Sequence, residues 1–222
     1  QVDAMTALIA LMDTEDADLY SMRAIAYRNT GNTDAAFADF DRALQIAPTS
    51  SSALAERGWT KYMLKQDEAA LKDFTTAITY AEPNAWLYVQ RGSIYQTLGD
   101  SAKAKADFEM ALQLDTISST YAFALVHLGK TQQAIAAMKS IVAENAEDAG
   151  EHYDLACLYS LANMKSEAIT ALQRAVELGY KGFHHIQFDR DLDNIRAEEG
   201  YQNVLNLLTR SKVSKLFEEL TK

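Results

Sequence analysis

From residue 17 onward the apolar residues of this chain recur at helical spacing, in stretches of about 14 residues broken at regular intervals by Gly or Asn. Recurrence at i, i+3, i+4 and i+7 marks one face of a helix. A Gly or Asn between two such stretches marks a sharp turn after a helix end. The pattern therefore predicts helix, turn, helix, over and over. Its interval is constant: Ala24, Gly58 and Gly92 stand 34 residues apart, as do Ala36, Ala70 and Ala104; Phe40, Phe74 and Phe108; and Ala43, Ala77 and Ala111. After a four-residue deletion the columns continue through Ala122, Ala134, Met138 and Ile141, then at 34 again through Ala156, Ala168, Leu172 and Ala175. Five units result, at 17–50, 51–84, 85–116, 117–148 and 149–180. Extrapolated backward, Ile9 falls in the column of Ala43 and Thr14 in that of Pro48, so residues 2–13 are expected to form the second helix of a truncated earlier unit.

The columns have a physical logic. Small residues let two helices approach closely, and the Phe or Leu one turn away fills the gap between successive hairpins. Thr33, Asp67, Ser101 and Thr131 are expected as N-caps of the second helices. One hairpin alone cannot bury its apolar face, so stacking into an all-α solenoid is expected. With only 2 Pro and 9 Gly and many Ala-rich stretches, a turn-rich β sandwich or barrel is disfavoured.

At these residues the sequence resembles the tetratricopeptide repeat (TPR) family, whose pattern has small residues at positions 8, 20 and 27 and aromatic residues at 11 and 24. Counting Ala17 as position 1, Tyr27 falls at 11, Phe40 at 24 and Pro48 at 32. The second repeat departs from the pattern, with Lys61 at position 11 and Lys65 where Gly31, Gly99 and Gly129 stand; the fourth has lost about one turn from its first helix or the turn before it. The resemblance implies an α-α superhelical solenoid of five hairpins with an N-terminal half-repeat, spanning 1–182, and a C-terminal helical cap of the same domain at 183–222. It also implies a concave inner wall made by positions 2, 5, 9 and 12 of the first helices. Mapped here, the candidate partner-binding residues are Ile25, Arg28, Trp59, Tyr62, Met63, Trp86, Val89, Gln96, Phe123, Tyr153 and Cys157. Both tryptophans fall on this wall, and large amphipathic aromatics on a concave surface suit protein anchors. Some TPR domains clamp the acidic tails of chaperones with Lys, Asn and Arg; the matching positions here are Ser21, Ile25, Glu56, Trp86 and Gln90, which cannot hold a carboxylate as a cation does. Chaperone tails are therefore not expected as partners, whereas a segment with hydrophobic side chains is.

A second regularity is charged. Arg23, Arg57 and Arg91 share one column, and Asp39, Asp73 and Asp107 another on the facing helix. Both columns lapse together in the fourth and fifth repeats, to Tyr121 with Ala137 and Leu155 with Ala171. Arg to Asp pairing is expected, within a hairpin or between neighbours, rather than an anion site.

After the last repeat, Phe183 to Ile186 and Asp189 to Arg196 resemble the tail that commonly closes bacterial TPR arrays, ahead of one or two amphipathic helices over 198–220 with Tyr201, Val204, Leu205, Leu207, Leu208, Val213, Leu216, Phe217 and Leu220. Asp189, Asp191 and Asp193 imitate the start of a calcium loop, but Asn194 and Gly200 stand where Gly and a bidentate Glu are needed. His184 and His185 are adjacent and point apart in a helix or strand, without a third ligand at metal spacing. His127, His152 and Cys157 show no spacing that supplies a nucleophile with a positioned base. No metal, cofactor or catalytic residue is expected, and the chain reads as a non-enzyme.

Composition narrows the partners further. The chain has 222 residues, 48% hydrophobic and 23% charged, which is ample for a folded core and argues against disorder. With 21 Lys and Arg against 31 Asp and Glu its formal charge is −10, which repels nucleic acid and anionic membranes. No apolar run is long enough to cross a bilayer. The expected function is a protein or peptide scaffold, an adaptor of a bacterial pathway or complex. The alternatives are a self-associating structural module, with a homo-oligomer as its form, and a regulatory domain of a larger protein. The single cysteine leaves the compartment open between bacterial cytoplasm and, if a leader was removed before Gln1, periplasm.

Overall fold

The structure, a computed structural model, describes residues 2–12 and 16–220, with the side chains of 10–12 and 210–220 outside the description. Thr14, and the side chains of Val213, Leu216, Phe217 and Leu220, therefore lie outside the described residues. Among the described residues there are thirteen α-helices, one short 3-10 helix and no strand. The chain divides into two compact units, Gln1–Leu114 and Asp115–Lys222.

The first unit holds α1 (Val2–Met12), α2 (Ala17–Asn29), α3 (Thr33–Ile46), α4 (Ser51–Met63), α5 (Asp67–Tyr80), α6 (Ala85–Thr97) and α7 (Ser101–Leu114). Helices α2 and α3, α4 and α5, and α6 and α7 pair as hairpins; α4 packs on α2 and α3, α6 on α4 and α5, and α1 on α2. The columns read from sequence are the core: Ala24, Ala36, Phe40, Ala43, Ala70, Phe74, Ala77 and Ala111 are wholly buried. Each buried Phe contributes about 1.5–3 kcal/mol. Two members of the small-residue column are glycines with little room for a side chain. A Cβ on Gly92 would stand 2.7 Å from the Phe108 ring, and one on Gly58 would stand 3.2 Å from both Asp73 Cβ and the Phe74 ring.

The second unit holds α8 (Ser119–His127), α9 (Thr131–Glu144), α10 (Ala149–Leu161), α11 (Lys165–Glu177), α12 (Phe183–Phe188), the 3-10 helix (Arg190–Ile195) and α13 (Glu199–Leu220). Helices α8 and α9, and α10 and α11, form hairpins. The lost turn falls on α8, with 9 residues against 13 in the other first helices. The 3-10 helix lies on α10 and α11, and α13 on α11 and α12. The tail is one continuous helix rather than two.

All five hairpin turns share one geometry. Gly31, Lys65, Gly99, Gly129 and Asn163 take left-handed backbone, with φ of 84°, 59°, 82°, 75° and 58°. The next residue then donates its N–H five residues back, as in Asn32 to Tyr27 at 2.9 Å and Gln66 to Lys61 at 3.0 Å. One left-handed residue reverses the chain, so no spare residue separates the helices. The caps consequently stand one place earlier than expected. Asn32 and Asp100 accept from the N–H groups of Ala35 and Lys103 at 3.3 and 3.2 Å, and Thr33, Asp67, Ser101 and Thr131 are the first helical residues. Gln66 and Lys130 cap without a side-chain bond.

The charged columns pair within each hairpin of the first unit. Arg23 to Asp39, Arg57 to Asp73 and Arg91 to Asp107 are two-pronged, at 2.6–2.8 Å. Hydrogen bonding to its Asp raises each guanidinium above its ordinary value despite the burial that opposes it. Arg23 and Arg91 each lie between two tyrosine rings, one three residues before and one four residues after. In the second repeat Lys61 replaces one of those rings and adds a second cation to Asp73 at 2.7 Å. That contact explains the departure at position 11.

Candidate functional site

Two groups of the expected wall residues emerge, one in each unit. In the first unit, Trp59 on α4 and Trp86 on α6 meet with ring centroids 6.4 Å apart. Trp59 tilts against Tyr62 at 5.7 Å, and Trp86 stands edge-on to the core ring of Phe74 at 5.8 Å. Both indoles are half-buried, seated on the cluster of Leu54, Tyr62, Phe74, Leu87 and Ile94 with part of each ring in solvent. They therefore act as the lid of a core as well as a surface. Ile25 is half-buried and Gln96 exposed.

Other wall residues do not line an open surface. Tyr62, Met63 and Val89 are buried, at 5%, 8% and 4% exposure, because each repeat's first helix turns them toward its neighbours. Arg28 is committed to its own chain: its Nη1 donates to Glu56 at 2.7 Å and to Thr60 at 3.5 Å, joining α2 to α4. The sequence showed Glu56 only as a failed clamp position, and its pairing with Arg28 was not foreseen.

In the second unit Phe123 is half-buried on α8, while Tyr153 and Cys157 are closed off by the cap. The Tyr153 hydroxyl donates to the buried Asp189 carboxylate at 2.6 Å, and its ring stacks on Tyr180 with centroids 4.4 Å apart. The Cys157 thiol lies 3.7 Å from the same carboxylate oxygen. His185 Nδ1 meets the Tyr180 hydroxyl at 2.6 Å, and its Nε2 stands 3.6 Å from Asp189. Arg196 donates to the carbonyls of Gln187 and Asp189, fastening the segment. The expectation that Tyr153 and Cys157 face a partner is corrected accordingly: the cap is that partner.

This interior is acidic, with Asp189, Asp191 and Asp154 beside Cys157. Burial, followed by the neighbouring Asp189 charge, pushes the Cys157 thiol well up, and burial does the same to Tyr153 and Asp191. Burial raises Asp154 to about 7 and lowers His127 to about 4. A thiol so held is a poor nucleophile. Asp189, the calcium-loop imitator, turns its carboxylate to Tyr153 and to the N–H of Asp191 at 3.0 Å. Nothing in its spacing announced that role.

Residues 17–50, the α2–α3 hairpin with its flanks, match a tetratricopeptide repeat family model, and residues 87–117 match a second model of the same repeat. The chain carries tetratricopeptide repeats at both stretches. Among curated proteins, this TPR chain is 35% identical over 98 residues to the tetratricopeptide repeat protein 36 homolog of Drosophila melanogaster, covering 42% of this chain and 52% of that one. It is 28% identical over 145 residues to human tetratricopeptide repeat protein 13, covering 60% and 17%. The TPR chain thus spans about half the length of the first relative and far less of the second. Among solved structures, a thermophilic TPR protein of Thermus thermophilus superimposes with a TM-score of 0.58 at 19% identity, covering 79% of this chain and 98% of that one. YrrB, described as a TPR protein with an unusual peptide-binding site, gives 0.50 at 18%, covering 81% and 94%. These likenesses show the fold alone, an all-α one shared with helical TPR solenoids. No described helix is long and apolar enough to cross a membrane.

Proposed function

We propose that this TPR protein is a non-catalytic scaffold that holds a protein or peptide segment against the aromatic surface of its first unit, with Trp59 and Trp86 as anchors and Ile25 and Gln96 at the margins. The observation carrying this reading is the meeting of the two indoles, 6.4 Å apart on successive first helices and part-exposed over a packed floor. Rigid aromatics already seated on a core lose little freedom when a partner covers them, which favours their use as anchors. Arg28, neutralised by Glu56, offers no free cation to an acidic tail. The occupant is therefore a segment with hydrophobic side chains, and the net charge of −10 favours basic flanks. A catalytic role for Cys157 is opposed by its burial and by the acid beside it.

The test is selection of binding peptides from a random library against the full chain, followed by affinity measurement. Trp59→Ala should weaken a selected peptide by roughly 30-fold, the equivalent of about 2 kcal/mol, with helical content retained. Selected peptides that all bind Trp59→Ala and Trp86→Phe as tightly as the parent would remove the aromatic surface from the account.

A further inference from the structure

In the first and third repeats one place on the hairpin is filled by an arginine. The guanidinium carbons of Arg23 and Arg91 stand 5.5 to 5.8 Å from the centroids of Tyr20 and Tyr27, and of Tyr88 and Tyr95, and Asp39 and Asp107 on the facing helices answer their charge. The fifth repeat keeps these surroundings and lacks the occupant. His152 and Tyr159 stand where the two tyrosines do, with Leu155 and Ala171 in place of the Arg and the Asp. In the fourth repeat Tyr121 brings a ring to the arginine's position. In the fifth, Leu155 and Ala171 make only a floor beneath an open cleft of about 400 Å³, which His152 and Tyr159 line from either side of Leu155 along α10. The His152 ring is held by its Nε2–H, which donates to the Ala146 carbonyl at 3.0 Å. A carboxylate lines the cleft as well. Glu167 stands on α11 one turn before Ala171, where the first three repeats carry Ala35, Ala69 and Lys103. It is exposed and has no ion pair among the described residues. The cation of the cleft, Arg174, is already matched by Glu147 at 3.2 Å and Glu177 at 3.6 Å.

We infer that this cleft receives an arginine side chain of a partner protein, its stem on Leu155 and Ala171, its guanidinium between the rings of His152 and Tyr159, and its charge met by Glu167. The chain itself identifies the occupant. Two equivalent places hold a guanidinium between a pair of rings with a carboxylate at its edge, and in the fifth repeat the rings and a carboxylate remain without the cation. Arginine suits the place better than lysine, because a planar, delocalised cation stacks on aromatic faces while its edge pairs with an acid. The cleft belongs to the second unit and the tryptophan pair to the first, so the two readings stand or fall independently.

The experiment titrates the full chain with N-acetyl-arginine methylamide, which presents the side chain as a protein does, and follows the methyl NMR signals of Leu155 and Ala171. Those signals should shift to saturation. The citrulline analogue, of the same shape without the charge, should bind at least about tenfold more weakly. Glu167→Gln, a change at an exposed position, should cost the arginine compound at least about fivefold in affinity with the fold unaltered by circular dichroism. Leu155→Arg combined with Ala171→Asp rebuilds the first unit's pair inside the cleft and should abolish binding. Unshifted Leu155 and Ala171 signals, equal binding of the arginine and citrulline compounds, or unchanged affinity in Glu167→Gln would overturn the site. Tighter binding of free L-arginine than of the blocked compound would assign the cleft to the amino acid, and a dimer of the chain alone that Glu167→Lys dissolves would assign it to a second copy; either result overturns the partner.

Discussion

Replacing the Arg91–Asp107 pair tests how the charged columns hold the first unit, and the protein supplies its own reference. The fifth repeat carries Leu155 and Ala171 at the same two places and buries both, at 8% and 6% exposure. In Asp107→Ala, Arg91 loses two hydrogen bonds of 2.7 and 2.8 Å. It keeps the Tyr88 and Tyr95 rings, 5.5 and 5.8 Å away, and some water, its side chain being 17% exposed. Breaking a buried ion pair costs about 3–5 kcal/mol; that residual hydration reduces the figure here to about 2–3 kcal/mol. Arg91→Leu strands a carboxylate only 8% exposed and should cost about 3 kcal/mol or more. The double variant removes both charges and restores the fifth repeat's solution, so it should lie within about 1 kcal/mol of the parent, a coupling of several kcal/mol. Urea unfolding followed by tryptophan emission reports this unit, because both tryptophans of the chain lie in it. Each single variant should lower the midpoint by about 0.7 M or more, taking m as about 1–3 kcal/mol/M. A double variant as unstable as the sum of the singles would refute the pairing argument.

Lys65→Gly should stabilise the chain by about 1 kcal/mol in a thermal melt, because Lys65 sits at φ 59° where the first, third and fourth turns use Gly. Gly92→Ala should destabilise by about 1–3 kcal/mol, since the new Cβ meets the rigid Phe108 ring at 2.7 Å, and Gly58→Ala should cost less, with its contacts at 3.2 Å. Tyr153→Phe leaves the buried Asp189 short of a donor and should cost about 1–3 kcal/mol in the unfolding of the second unit. The pH dependence of that unit has two opposed parts. Burial holds His127 neutral down to about 4 against an ordinary 6.5, so its contribution is present above 6.5 and lost as pH falls through that window. Asp154 keeps its proton up to about 7 against 3.8, so its contribution is present below 3.8 and lost as pH rises to 7. Between pH 4 and 6.5, His127→Gln should make stability fall more steeply with rising pH, by up to about 1.4 kcal/mol per unit, and Asp154→Asn should make it fall less steeply by the same amount.

The fold was legible because its determinants are periodic. Ala24, Phe40 and Ala43 and their counterparts are buried as their columns required, and the paired lapse of Arg and Asp at Leu155 and Ala171 marked where the ion pairs stop. Caps were displaced by one residue because Asn32 and Asp100 cap at least as well as Thr33 and Ser101, and the left-handed turn gives the position to them. Site residues were less legible because exposure depends on what arrives from elsewhere in the chain. Tyr153 and Cys157 carry wall positions, yet Asp189 lies 36 and 32 residues further on and closes over them. Trp86 read as surface alone, while its edge contact with Phe74 makes it partly core.

Because Trp59 and Trp86 are the chain's two tryptophans, their emission reports occupancy of the proposed anchor surface without any mutation. The decisive measurement is titration of the full chain with a library-selected peptide whose apolar anchor residue carries bromine, a contact quencher, alongside the unbrominated peptide as control. Quenching that saturates at the same concentration as binding measured independently, and that the control lacks, is the predicted result. Saturated binding with the tryptophan emission unquenched would place the partner elsewhere and contradict the account.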